Sequence, residues 1–199
     1  MLYSRTFFSK DEIENAIAGK IEPLEINRIL SAYDMSDMAF SDKMSLNGTP
    51  YFFHTTRVCK IIIQELEIFD SDLIIAALLH DIFEVNEDIS PEIIDYNFGP
   101  YVTYLLSILK EDFHSIDSIP APALDDSANV KIPTDDYLII WLSEHLDNFR
   151  ALDVSPVFNP VNYILNTLSL HIPAAEQSNN IYVQRLMIEL KKERNKILG

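Results

Sequence analysis

The strongest constraint on this chain is the stretch LIIAALL at residues 73–79, which runs without a polar residue straight into His80 and Asp81. Successive helical residues turn by about 100°, so seven apolar residues in a row leave no side of a helix suited to water. The stretch is far shorter than the ~18–20 residues of a membrane span, so its apolar surroundings must come from the rest of the protein. It predicts a central helix wrapped by others. The apolar pattern resumes after the pair with Ile82 and Phe83. An imidazole and a carboxylate therefore stand where burial is expected and an unpartnered polar group is costly.

The flanking segments supply the wrapping. No segment alternates with period two for long, and 4 glycines in 199 residues argue against a turn-rich β fold. Ser9, followed by acidic residues, reads as the N-cap of a helix over residues 10–19. PLEINRILSAYDMSDMAFS reads as a second helix or two short ones. In TPYFFHTTRVCKIIIQELE, apolar residues at 53, 58, 61, 62 and 66 form a helical stripe. Ser90 and Pro91 suit the N-cap and first position of a short helix, and a Gly-Pro break at 99–100 starts another. Residues 113–135, with three prolines and little periodicity, read as a long loop. DDYLIIWLSEHLDNFRALD, NPVNYILNTLSLHI and the C-terminal NNIYVQRLMIELKKERNKILG are helical again. The expectation is an all-α bundle, with one domain spanning residues 1–199.

Charge and cysteine content narrow the function classes. A net charge of −16 leaves no basic patch for nucleic acid or an anionic membrane. It does not exclude a small anionic substrate, because a divalent ion can dominate the field of its own site. The first residues turn acidic too soon for a secretory signal. Cys59, the one cysteine, cannot form an internal disulfide, fits a reducing cytoplasm, and reads as a packing residue. Nothing in the pattern specifies an oligomeric state.

Ligand-type residues recur in apolar settings on three predicted helices: His54 in YFFHTTRV, His80 and Asp81 in LLHDIFE, and Glu144 in IIWLSEHLDNFR. Imidazole and carboxylate are the usual ligands of divalent metals. Adjacent helical residues diverge by about 100°, so further ligands must arrive from neighbouring helices, as is common in bundle interiors. Glu84 falls one turn past His80, on a side of the helix shared by 80, 81 and 84; Asn148 falls one turn past Glu144. Taken singly these residues have blander readings. A lone buried His is usually a hydrogen-bonded core residue, and SEHLDN on its own looks like an exposed face.

Together the motifs resemble the HD-domain metal-dependent phosphohydrolases, above all the hydrolase domain of RelA/SpoT-type proteins and their small single-domain relatives, which remove pyrophosphate from the 3′ position of (p)ppGpp. GTPYFFHTTRV resembles that family's Gly-x-Pro-Tyr-x-x-His-Pro-x-x-Val, and AALLHDIFE its Ala-Ala-Leu-Leu-His-Asp-x-x-Glu-Asp. FGPYVTYLLSILKE is similar to its Phe-Gly-x-x-Val segment, and WLSEHLDNFRALD to Leu-Ala-Asp-Arg-Leu-His-Asn-x-Arg-x-Leu. The likeness spans roughly residues 30 to 170, with a helical C-terminal extension beyond. It implies an HD-type bundle, metal ligands at His54, His80, Asp81 and Glu144, a catalytic carboxylate at Glu84 and a site asparagine at Asn148. It implies a divalent metal, Mn²⁺ foremost, and a nucleotide or other small phosphate ester as substrate.

Four departures from the family pattern bear on ligation, proton transfer or nucleotide binding. Glu144 replaces an aspartate, one methylene shorter, and Val85 replaces the second acid of the Glu-Asp pair. Asp88, four residues past Glu84, would stand in for that acid only if the helix ran through EVNED; a surface loop is the simpler reading. Ser45 and Leu46 occupy the Arg-Lys positions that serve nucleotide binding in relatives, and neither offers a planar guanidinium for stacking. Arg150, which matches a family arginine, reads as a structural ion-pair partner. The leading expectation is a metal-dependent phosphohydrolase with altered substrate recognition. The alternative is a catalytically degenerate HD module that binds a ligand or regulates a partner. A third, blander reading is a helical interaction protein whose His and Asp residues only pack.

Overall fold

The structure of the protein, a computed structural model, describes residues 2–45, 48–110, 133–152, 172–173 and 175–198. Among these it is all-α, with only an isolated antiparallel bridge between Met44 and Pro50. The helices are α1 (Lys10–Ile17), α2 (Pro23–Ala39), α3 (Tyr51–Lys60), α4 (Ser71–Leu79), α5 (Ile82–Val85), α6 (Pro91–Phe98), α7 (Pro100–Lys110), α8 (Pro133–Ala151) and α9 (Ile181–Leu198). None of the described helices is long and apolar enough to cross a membrane.

Local chemistry sets most boundaries. Ser9 caps α1 with a reciprocal box, its side chain taking the Glu12 amide while the Glu12 carboxylate takes the Ser9 amide. Asp70 caps α4 by accepting from the Leu73 amide at 3.0 Å. Gly99 ends α6 at φ 86°, a conformation that excludes most side chains, and Pro100 then opens α7 with a φ already suited to a helix. The stretch expected as one or two helices after residue 22 is the single α2. The start of α8 takes in residues 133–135, which the loop reading had included; the rest of that loop, and NPVNYILNTLSLH, lie outside the described residues.

α4 is the centre of the bundle. All of residues 73–79 are buried, packed against α2, α3, α7 and α8. At about 1.5–3 kcal/mol per large apolar side chain, this burial is a principal source of folding free energy. Arg28 ties three helices at its edge, pairing with Glu25 of α2 and Asp72 of α4 and donating to the Phe98 carbonyl of α6 at 2.6 Å. α3 is buried more widely than its apolar stripe suggested, at Phe52 and throughout residues 54–59, because it lies between α4 and α8. Cys59 is among these buried residues and forms no disulfide. α9 packs against α8.

One element departs from the expected helix, at the point that matters most. α4 stops at Leu79, and a new short helix starts after Asp81, so residues 80, 81 and 84 do not share one side of a continuous helix. His80 Nδ1 binds the Ala77 carbonyl at 2.9 Å, the acceptor that the Asp81 amide would need for the helix to continue. Asp81 turns aside at φ −102°, ψ 10°. The kink frees its carboxylate to point away from the helix end, which it does not cap.

Candidate metal centre

The site forms where α3, the α4–α5 junction and α8 meet. His54 is 4% and His80 5% exposed, and their rings meet edge to face with centroids 5.1 Å apart. Each ring is anchored through Nδ1. His54 Nδ1 lies 2.7 Å from Asp147 Oδ2, and His80 Nδ1 lies 2.9 Å from the Ala77 carbonyl. Carboxylate and carbonyl oxygens only accept, so both Nδ1 atoms carry hydrogen and both Nε2 atoms are left for another partner. The two Nε2 atoms face each other at 3.2 Å, and Asp81 Oδ2 stands 3.2 Å from that of His80. Ligand atoms of His54, His80 and Asp81 all lie within 4.8 Å of one another.

Two facing lone pairs beside a carboxylate repel unless a cation lies among them. In the metal-free protein a proton can serve. Burial disfavours charge on His80, but Asp81 and Glu144 outweigh it and push its pKa up to about 9. Burial likewise works against ionised Asp81, yet His80, His54 and the Tyr51 hydroxyl hold it below the usual carboxylate range. Tyr51, one turn before His54, donates to Asp81 Oδ2; burial and the Asp81 charge raise the phenol's own pKa. A group of two imidazoles and one carboxylate suits a borderline divalent ion as well as a proton.

The remaining residues singled out from the sequence surround this trio. Glu144 does not join the close group of three. It is nonetheless near enough for burial and the Asp81 charge, then Glu84, to push its pKa up to about 8 against the pull of His80. Its Oε1 accepts from Asn148 Nδ2 at 3.3 Å, so the asparagine engages a neighbouring side chain here. Glu84, on α5, is largely exposed, and its pKa is raised by partial burial and by Asp81. α5 ends at Val85, and Asp88 sits in an exposed turn with its amide on Asn86 Oδ1. No second acid therefore lies a helical turn past Glu84. Ser45 is half-buried beside the bridge, and Leu46 lies outside the described residues. Arg150 makes the expected ion pair, a fork onto both Glu65 oxygens at 2.6 and 3.0 Å.

SEHLDN is not the exposed face it resembled: Ser143 and Asp147 are fully buried, because α8 turns this side toward α3 and α4. Asp147 is the residue that sequence reasoning passed over. Four hydrogen bonds converge on its carboxylate. Tyr3 Oη and Arg57 Nε donate to Oδ1, each at 2.8 Å; His54 Nδ1 and Arg57 Nη2 donate to Oδ2 at 2.7 and 2.9 Å. Burial alone would raise its pKa, but His54 and Arg57 lower it. A signal was available, since the family pattern has histidine at this position and Arg57, a charge one turn past His54, requires an acidic partner.

No protein-family model and no curated protein matches the chain in sequence. Among solved structures its fold is similar to that of a metazoan ortholog of SpoT that hydrolyzes ppGpp and plays a role in starvation responses. The TM-score is 0.62 at 20% identity, covering 84% of this chain and 95% of that one. The chain thus shares the helical fold of that protein.

Proposed function

We propose that this protein is a metal-dependent phosphohydrolase acting on a nucleotide or another small phosphate ester, with recognition altered from that of (p)ppGpp 3′-pyrophosphohydrolases. The observation that carries the proposal is the pair of anchored imidazoles, whose two free Nε2 atoms converge on each other and on a carboxylate. His54, His80 and Asp81, joined by Glu144, would hold a divalent ion, Mn²⁺ foremost. Such an ion, when bound, supplies Lewis acidity to a phosphoryl oxygen.

The protein's own groups account for the rest of the chemistry. Tyr51 keeps Asp81 turned toward the imidazoles, and Asn148 restrains Glu144. Glu84, its pKa raised and its side chain open to solvent, would take the proton of an attacking water and return it to the leaving oxygen. The test is a hydrolysis screen in Mn²⁺ over ppGpp, NADPH, nucleoside mono- and triphosphates and sugar phosphates. Release of phosphate or pyrophosphate from one class is the expected result. Stoichiometric metal binding with no turnover of any of them would overturn it.

That contrary outcome belongs to a second reading, a ligand-binding or regulatory module of the same fold. The end of α5 at Val85, without a following acid, and Ser45 in place of a stacking arginine favour it. It predicts tight binding of a nucleotide without hydrolysis. Turnover that disappears in Glu84→Gln excludes it.

A further inference from the structure

The Asp147 cluster has no role in the chemistry proposed above, yet it touches the candidate metal centre directly. We infer that Asp147 is the positioning residue of that centre, itself held by Arg57 and Tyr3, so that the N-terminal segment at residues 3–6 is a structural part of it. The inference rests on the metal reading of His54, His80 and Asp81.

Asp147 cannot be a ligand in this arrangement. A carboxylate offers about four lone-pair sites, and four donors occupy them. What it can do is hold hydrogen on His54 Nδ1 and fix the ring plane, which directs the Nε2 lone pair at His80 and Asp81. Outer carboxylates on ligating histidines act in this way, and their loss typically weakens metal binding by about 10–100-fold. Arg57 sets the charge balance. Its fork cancels the Asp147 charge, so the carboxylate orients the ring without adding net negative charge to the cluster.

The orientation is fixed in turn by the start of the chain. Arg57 Nη1 donates to the carbonyls of Ser4 and Thr6 at 3.0 and 2.9 Å, and the Tyr3 ring lies 5.3 Å from its guanidinium carbon. The Phe8 amide donates to Thr56 Oγ1 at 3.1 Å, and Phe7 stacks on Phe53 with centroids 4.9 Å apart. Residues 3–8 thus strap α3 at Phe53, Thr56 and Arg57. Tyr3 reaches past Arg57 to Asp147 itself, 144 residues away.

The test is Mn²⁺ titration by calorimetry and electron paramagnetic resonance on the full-length protein, with histidine ring ¹⁵N NMR of the metal-free state. Asp147→Asn should weaken Mn²⁺ binding by about 10–100-fold and shift hydrogen from His54 Nδ1 toward Nε2, with helical circular dichroism retained. Wild-type affinity in that folded variant overturns the inference. Removing the charge also leaves Arg57 buried without its counter-ion; where that variant fails to fold, Tyr3→Phe decides. It loses one hydrogen bond, stays folded with a melting temperature lower by a few degrees, and should weaken Mn²⁺ binding by about two- to fivefold. Unchanged affinity there overturns the inference as well. A wild-type protein that binds no Mn²⁺ is a different outcome, since it removes the metal reading and the positioning role together.

Discussion

The two halves of the candidate site are held very differently. The imidazole half is buried and over-determined: each Nδ1 has a fixed acceptor, Asp81 has Tyr51, and Asp147 ties His54 to Arg57 and the N-terminal segment. The half that would meet substrate is looser. Glu84 is largely exposed, Glu144 stands off from the close group, and Ser45 and Val85 replace the arginine and acid that the family resemblance implies. Rigid side chains with satisfied partners place a ligand atom to within a fraction of an ångström, whereas exposed carboxylates on short helices do not. The contrast agrees with the proposed function, in which a firmly held trio of candidate metal ligands stands beside an altered substrate side.

The largest expected effect falls on the buried half. His80→Ala or Asp81→Ala should remove stoichiometric Mn²⁺ and abolish phosphate release, read by metal analysis of protein purified without chelator and by the hydrolysis screen. Turnover retained in either variant would place the chemistry elsewhere. Glu84→Gln should come next, lowering kcat by about 10²–10⁴-fold while Mn²⁺ affinity stays at the wild-type value; a parallel fall in affinity would make Glu84 a ligand. On the recognition side, Ser45→Arg restores a planar cation where the resemblance puts one. It should lower KM for a guanine nucleotide by about two- to tenfold, the scale of an exposed-to-partly-buried stacking contact, with kcat unchanged. No change in KM would mean that residue 45 does not face the substrate.

The smallest effect is on stability, where both halves respond to pH in the same direction. The pKa of His80 is raised from 6.5 in the unfolded chain to about 9 in the fold. Its contribution is therefore fully present below pH 6.5 and is lost as the pH rises through about 9. Glu144, raised from 4.5 to about 8, loses its contribution in the same direction. The melting temperature of metal-free protein should fall from pH 6.5 to 9 by a few degrees, on the order of that expected for 1 kcal/mol in a domain of this size. Mn²⁺ should reverse the trend, because it competes with the same protons. A metal-free melting temperature that rises over this interval would show that the imidazole half does not hold the proton.

How much was legible follows from the kind of interaction involved. The run at 73–79 could be read as a buried central helix because its apolar residues leave no side for water, and the structure buries every one. Ser9, Ser90 with Pro91, and Gly99 with Pro100 announced helix ends because capping and φ restrictions act within a few residues. The identities of His54, His80 and Asp81 were visible as polar residues in apolar pattern. Helix periodicity failed at Asp81, where α4 has ended and the backbone turns aside before α5. It failed again on α8, where SEHLDN faces inward although its residue types suggest solvent.

The sequence by itself determined an all-α chain, its central helix, most of its caps and the types of its candidate ligands, because each depends on neighbours within one or two turns. Only the tertiary structure decided that His54 and His80 meet through Nε2, that Glu144 stays outside the close group, and that Asp147 saturates its oxygens on Tyr3, His54 and Arg57. Those partners lie 144, 93 and 90 residues away along the chain. A charge in a sequence records the need for a partner, and only docked helices can specify which one it finds.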